Sequence, residues 1–137
     1  MQVVSQASVE IDGETVAAFD EPGLVVLVGV THTDTADVGQ RLAEKVWRLR
    51  IMDDELSAAD NDAPLLVVSQ FTLYAELSKG RRPSWSAAAP GEVSEPLVAE
   101  FVESLRSLGA TVQTGRFGAD MKVSLTNDGP RTIWIEI

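Results

Sequence analysis

Leu65-Leu66-Val67-Val68-Ser69-Gln70-Phe71-Thr72-Leu73 is the stretch on which the fold of this chain turns. Four apolar residues in a row leave no polar face, so the run reads as a strand buried on both sides. From Ser69 onward the side chains become polar, at Ser69, Gln70 and Thr72. A strand end is rigid and its last N–H groups can lack ladder partners, so such a segment can line the mouth of a site. A strand that simply runs out of the core into water gives the same pattern.

Upstream, Leu24 to Val30 is a second apolar run and reads as a central strand buried on both faces. Val3 to Ile11 alternates polar and apolar residues, Asp12-Gly13 is a hairpin signal, and Thr15 to Phe19 returns. Pro22-Gly23 turns the chain again. Thr33 or Asp34 can cap a helix running to about Arg50, with Val38, Leu42, Val46 and Leu49 facing inward. Asp53 to Ala63 is polar and reads as a loop.

Downstream, Leu77 to Val93 has no clear periodicity and reads as a long surface loop, a kind of segment that often carries function. Ser94 is the expected cap of a second helix, with Pro96 in its first turn. Leu97, Phe101, Leu105 and Leu108 form its core stripe, and Gly109 ends it. Thr111 to Gln113, Lys122 to Thr126 and Arg131 to Ile137 complete the strands. The expected fold is therefore α+β (mixed α/β). One domain spans residues 1–137, a barrel-like sheet covered by two main helices, with edges that favour oligomerisation.

Composition narrows the chemistry. The 137 residues suit one domain that buries about 65–70% of its unfolded surface. There is no cysteine and a single histidine, His32, so disulfides, thiolate metal sites and histidine clusters are excluded. The longest apolar run falls far short of the ~20 residues of a membrane span. Met1 is not followed by a charged and then apolar leader, so the expected compartment is the cytoplasm. The net charge of −10 argues against nonspecific DNA coating. Lys79, Arg81 and Arg82 nonetheless form a local basic patch that could meet RNA phosphates; a solvated loop is the plainer reading of the same residues.

Conventional hydrolytic machinery is sparse. Thr72 invites the role of nucleophile, but a threonine hydroxyl needs a base. The only histidine lies in the distant Val30-Thr31-His32-Thr33-Asp34 stretch and reads as an exposed loop residue, although a triad through it stays open. Near the C-terminus, Asn127-Asp128-Gly129-Pro130 is a rigid corner of ordinary turn chemistry. About 5–6% of X-Pro bonds in folded proteins are cis, so sequence alone reads it as a trans turn.

The pair Ser69-Gln70-Phe71-Thr72-Leu73 and Asn127-Asp128-Gly129-Pro130 resembles the signature of the D-aminoacyl-tRNA deacylases, first described as D-tyrosyl-tRNA deacylases. Arg82-Pro83-Ser84-Trp85, Thr114-Gly115-Arg116-Phe117-Gly118-Ala119-Asp120-Met121 and the Gly39 to Arg50 interval are similar too. The resemblance runs from about Ala7 to the C-terminus. It implies a homodimer with active sites at the interface, hydrolysis of the ester joining a D-amino acid to the 3′ end of tRNA, and clearance of glycine mischarged on tRNA(Ala). It implies no metal and no organic cofactor, and no membrane or DNA partner is expected.

On the same resemblance the Gly129-Pro130 bond is cis, and the dipeptide reaches into the partner subunit's site to exclude an L side chain. Ser69 orients the strand end, Gln70 holds substrate, and N–H groups near Phe71 and Thr72 stabilise the oxyanion. The ribose 2′-hydroxyl of the tRNA takes part, while an older view makes Thr72 the nucleophile. Phe117 and Met121 either shape the pocket wall or pack in the core, and Lys79, Arg81 and Arg82 are candidates for phosphate contacts. Two features depart from the family pattern: Val3 stands where an arginine usually holds the Gly-Pro loop, and Arg131 follows Pro130 where a small or β-branched residue is usual. Arg131 is a candidate substitute for that arginine. The alternatives are a weakened member that binds aminoacyl-tRNA ends and a small esterase pairing Thr72 with His32.

Overall fold

The Leu65–Val68 run forms β4 (Leu65–Ser69), which pairs in parallel with β3 (Gly23–Val28) and β5 (Val112–Thr114). A computed structural model describes all of residues 1–137. The longest strands are β1 (Gln2–Ile11) and β6 (Lys122–Thr132), paired antiparallel to each other. β2 (Glu14–Phe19) pairs with the C-terminal half of β1, and β3 with its first residues, Gln2 to Val4. Asp12 and Gly13 both take positive φ, the backbone that a two-residue hairpin connection needs.

The sheet curls until β2 and β5 approach, giving the expected barrel-like core. Gln113 spans the remaining gap. Its side-chain amide donates to the Ala18 carbonyl and accepts from the Ala18 N–H, both at 2.8 Å. One side chain thus does the work of a ladder rung.

Alternation along the strands divides the core in two. Val4, Ala7, Val9, Ile11, Val25, Leu66 and Val68 point into the barrel. Val3, Leu24, Val26, Leu65 and Val67 point out to the helical layer. That layer is α1 (Ala36–Arg48), a single-turn α2 (Ala58–Asn61) and α3 (Gly91–Ser107). Phe101 of α3 is 2% exposed and stands among the largest fully buried side chains. Gly109, at φ +101°, follows α3 as expected.

Several boundaries differ from the sequence reading. α1 begins after Thr35, because the Asp34 carboxylate accepts from the Thr31 N–H at 2.8 Å and closes a separate turn. Its buried residues are Ala43, Val46 and Trp47, while Val38, Leu42 and Leu49 are only half-buried. The Asp53 to Ala63 segment is not merely a loop: a 3-10 turn at Asp53–Glu55 precedes α2. Ser57 and Asp60 cap each other there, and the Ser57 hydroxyl and N–H hold the Asp60 carboxyl below its ordinary pKa.

α3 starts at Gly91 behind Pro90, not at Ser94, whose hydroxyl instead donates to the Pro90 carbonyl at 3.1 Å. Pro96 consequently sits beyond the first turn and costs one intrahelical hydrogen bond. Val102 is buried on this helix, whereas Leu97 and Leu108 are half-buried. Finally, the expected strand from Arg131 to Ile137 ends at Thr132 as part of β6, and the corner lies inside that strand.

Candidate active site

β4 delivers Ser69 to the rim of the barrel, in register with Val28 of β3. The chain then leaves the sheet. The Gln70 N–H still donates to the Val28 carbonyl at 2.7 Å, and Phe71–Tyr74 wind into a 3-10 turn. The first bond of that turn runs from the Leu73 N–H to the Gln70 carbonyl at 3.2 Å. The preceding N–H groups, those of Phe71 and Thr72, have no partner within the chain, as the geometry of a helical start requires. Two adjacent free donors on a rigid strand end suit a carbonyl oxygen that gains negative charge.

The side chains around them are not arranged as a nucleophile and base. Gln70 Nε2 donates to Thr72 Oγ1, so the threonine oxygen serves as an acceptor. His32 Nε2 bonds to the Ser86 carbonyl at 2.9 Å and Thr31 Oγ1 donates to the Ala87 carbonyl at 2.7 Å. His32 therefore anchors the long loop. Tyr74 closes the turn, and burial first, then the charges of Asp34 and Glu136, push its hydroxyl pKa up. No group of three or more His, Asp or Glu side chains is placed to hold a metal ion.

Ser69 opens into a cavity of about 230 Å³ between the strand ends and α3. Val67, Thr114, Gly115, Arg116, Phe117, Val98 and Val102 also line it. Phe117 is therefore brought to Ser69. Met121 packs elsewhere, over the Gly115 backbone and near Val9, where a Cβ on Gly115 would meet its sulfur. Phe71 is 56% exposed and packs edge-on against Trp85 of the long loop, with ring centroids 5.6 Å apart.

Lys79, Arg81 and Arg82 occupy the exposed tip of that loop, which is pinched by paired backbone bonds between Glu76 and Ser84 of 2.8 and 3.1 Å. None of the three is ion-paired; the other cations without a carboxylate partner are Lys45 and Arg116. Arg116 was not singled out from sequence. Its signal was its position beside Phe117, and the structure adds that it lines the same cavity as Ser69, together with Glu95 and Glu103.

Asp128, Gly129 and Pro130 are all exposed, and the Gly129-Pro130 bond is cis, as the resemblance implies and against the trans turn that base frequencies favour. The pairing of β6 with β1 explains the projection. Asn127 is opposite Val4 and Thr132 opposite Gln2, so Asp128-Gly129-Pro130-Arg131 face the single residue Val3. Neither Gly129 nor Pro130 lines the cavity at Ser69 of its own chain. Between the C-terminal segment and β3 runs an apolar groove of about 270 Å³, bounded by Leu73, Tyr74, Ile133 and the 59% exposed Trp134.

Comparison with known proteins finds a family, close relatives and solved structures. The family model described as D-Tyr-tRNA(Tyr) deacylase matches residues 1–136. A D-aminoacyl-tRNA deacylase of Streptomyces coelicolor is 64% identical over all of this chain and 97% of its own length. One of Cutibacterium acnes is 67% identical, over 99% of this chain and 94% of its own. Among solved structures, the c-Myc DNA unwinding element binding protein superposes with a TM-score of 0.91 at 36% identity, covering 99% of this chain and 95% of that one. A probable eukaryotic D-amino acid tRNA deacylase, 13% identical with a TM-score of 0.77 over 94% of this chain and 92% of that one, shares the fold.

Proposed function

This chain belongs to the D-aminoacyl-tRNA deacylase family, an ester hydrolase family, and on that basis we propose that it hydrolyses the ester between a D-amino acid and the 3′ end of tRNA. The observation that carries the reading is the pair of unpartnered N–H groups at Phe71 and Thr72, on a strand end without a side-chain base. Water adds to the ester carbonyl, the oxygen that gains charge takes hydrogen bonds from these two donors, and the bond to the ribose 3′-oxygen breaks. The water's proton passes to that leaving oxygen by way of the neighbouring 2′-hydroxyl, which takes one proton and gives up another. Ser69 and Gln70 hold the strand end and the substrate, Phe117 walls the amino-acid pocket, and Met121 supports that wall indirectly by packing on Gly115.

Selection between enantiomers falls to Gly129 and Pro130. Their exposure on a projecting corner, and their separation from the chain's own cavity, fit a dipeptide that enters the site of a second subunit. The apolar groove beside Trp134 supplies surface for such a homodimer. An L side chain meets the corner; a D side chain or glycine does not, so glycine mischarged on tRNA(Ala) is also a substrate. The reaction needs no cofactor, and a cytoplasmic location accords with tRNA as partner. No helix is long and apolar enough to cross a membrane. The net charge of −10, with free cations gathered at one loop tip, favours an RNA end over duplex DNA.

The test is hydrolysis of D-Tyr-tRNA, L-Tyr-tRNA and Gly-tRNA side by side, with wild-type protein and Pro130→Ala. Wild type should cleave the D and glycyl esters and spare the L ester. Removing the proline ring should raise the L rate relative to the D rate by about 10–200-fold, the range set by one side-chain contact in a pocket. No turnover of any ester would leave a member that only holds aminoacyl-tRNA ends.

Replacing Lys79, Arg81 and Arg82 together with alanine should raise KM for the charged tRNA about fivefold with kcat unchanged. The plot of log KM against log salt should also become shallower by about 2, at roughly 0.7 per lost single-strand phosphate contact. An unaltered salt slope would remove these residues from the interface.

A further inference from the structure

The two limbs of the Gly129-Pro130 corner are tied down differently. On one, Asn127 Nδ2 donates to the Val3 carbonyl at 3.0 Å. On the other, Arg131 Nη1 donates to Asp53 Oδ1 at 2.7 Å, and Nη2 lies 3.8 Å from Asp128 Oδ2. Asp53 belongs to the 3-10 turn that follows α1, outside the sheet. The guanidinium thus links the corner to a separate element and to the corner's own first residue.

The arginine, not its partners, is the enclosed member of this group. The Arg131 side chain is 25% exposed against 80% for Asp53 and 52% for Asp128, and its Nε is enclosed without an acceptor. A planar cation with both Nη groups engaged and Nε shut from water has few orientations left. The four residues opposite Val3 have no register partner on β1, so the ladder cannot fix them. Nor can a side chain of β1, because Val3 is 3% exposed in the helical-layer core and offers only its carbonyl.

We propose that Arg131 is a positioning residue for chiral selection: bridging Asp53 and Asp128, it fixes the direction in which Gly129 and Pro130 project. The role rests on the deacylase reading for its consequence, but not for its geometry.

Four variants of the full chain test it: Arg131→Val, Arg131→Lys, Asp53→Asn, and Arg131→Val combined with Asp53→Asn. Two readouts are taken: the ratio of L-Tyr-tRNA to D-Tyr-tRNA kcat/KM, and the ¹H–¹⁵N heteronuclear NOE of the Gly129 amide. Arg131→Val should raise the ratio about fivefold and lower the NOE, Asp53→Asn should do the same to a smaller extent, and the double variant should match Arg131→Val. Arg131→Lys, which keeps the charge but not the fork, should fall between Arg131→Val and wild type. A drop in melting temperature with both readouts at their wild-type values would make Arg131 a stability residue only and overturn the proposal. If wild type cleaves neither ester, the deacylase reading fails separately, and the Gly129 NOE still decides the brace: lowered in Arg131→Val supports it, unchanged rejects it.

Discussion

A D-Tyr-tRNA whose terminal adenosine lacks the 2′-hydroxyl is expected to be hydrolysed about 10²–10⁴-fold more slowly than the natural ester, the usual worth of one positioned proton-transfer group. Thr72→Val, measured beside it on natural substrate, should lose less than about tenfold. The two expectations belong together, since one or the other must supply what the protein's side chains otherwise lack. Thr72 Oγ1 accepts from Gln70, and the lone histidine is spent on the Ser86 carbonyl. An unactivated threonine is a poor nucleophile. The reverse outcome, a dead Thr72→Val and an indifferent 2′-deoxy substrate, would restore the covalent mechanism. His32→Ala adds a control, because it should loosen the long loop and leave the chemical step intact.

Phe101→Ala should destabilise the protein by about 3–5 kcal/mol, by lost transfer energy and the cavity left behind. Phe101 is 2% exposed and packs among the buried residues of α1, α3 and the outward face of the sheet. Helices α1 and α3 meet the sheet through this cluster. Against a typical total of about 5–15 kcal/mol, that is a large share. Urea unfolding would read it as a lower midpoint at unchanged slope. Phe101→Leu should cost less than half as much. A loss below about 1 kcal/mol for the alanine variant would mean that the helical layer does not depend on this ring.

Both halves of the candidate site were visible in sequence as unusual local segments, and it was their resemblance to a family signature that joined them. β4 announced itself because four apolar residues followed by Ser69 and Gln70 can mean little else than a buried strand meeting the surface. The corner stood out because Gly-Pro is rigid wherever it occurs, but its projection depends on pairing with residues more than a hundred positions away. Local patterns carry no trace of such pairing. The same limit hid the Gln113 amide at the barrel seam, an ordinary glutamine until β2 and β5 are brought together. Trp47 and Ala43 were missed on α1 because an apolar count weights Val38, Leu42 and Leu49, whereas the face that packs into the core is centred on Ala43, Val46 and Trp47. Arg131 stands out against the family pattern, but its partner Asp53 is unremarkable in sequence, and only the fold places the two 2.7 Å apart.

The pairing of β1 with β6, from Gln2 opposite Thr132 to Glu10 opposite Lys122, also sets a timetable. Ribosomes add roughly 5–20 residues each second, so β1 is made seconds before the strand that will cover its edge. Until then the nascent chain can form its hairpin and its helices, but not the sheet's longest seam. Contacts so distant along the chain are slow to close. The Gly129-Pro130 corner, proposed above to judge handedness, lies within that late strand. On that reading a growing chain holds its Phe71 and Thr72 donors before it holds its means of telling enantiomers apart.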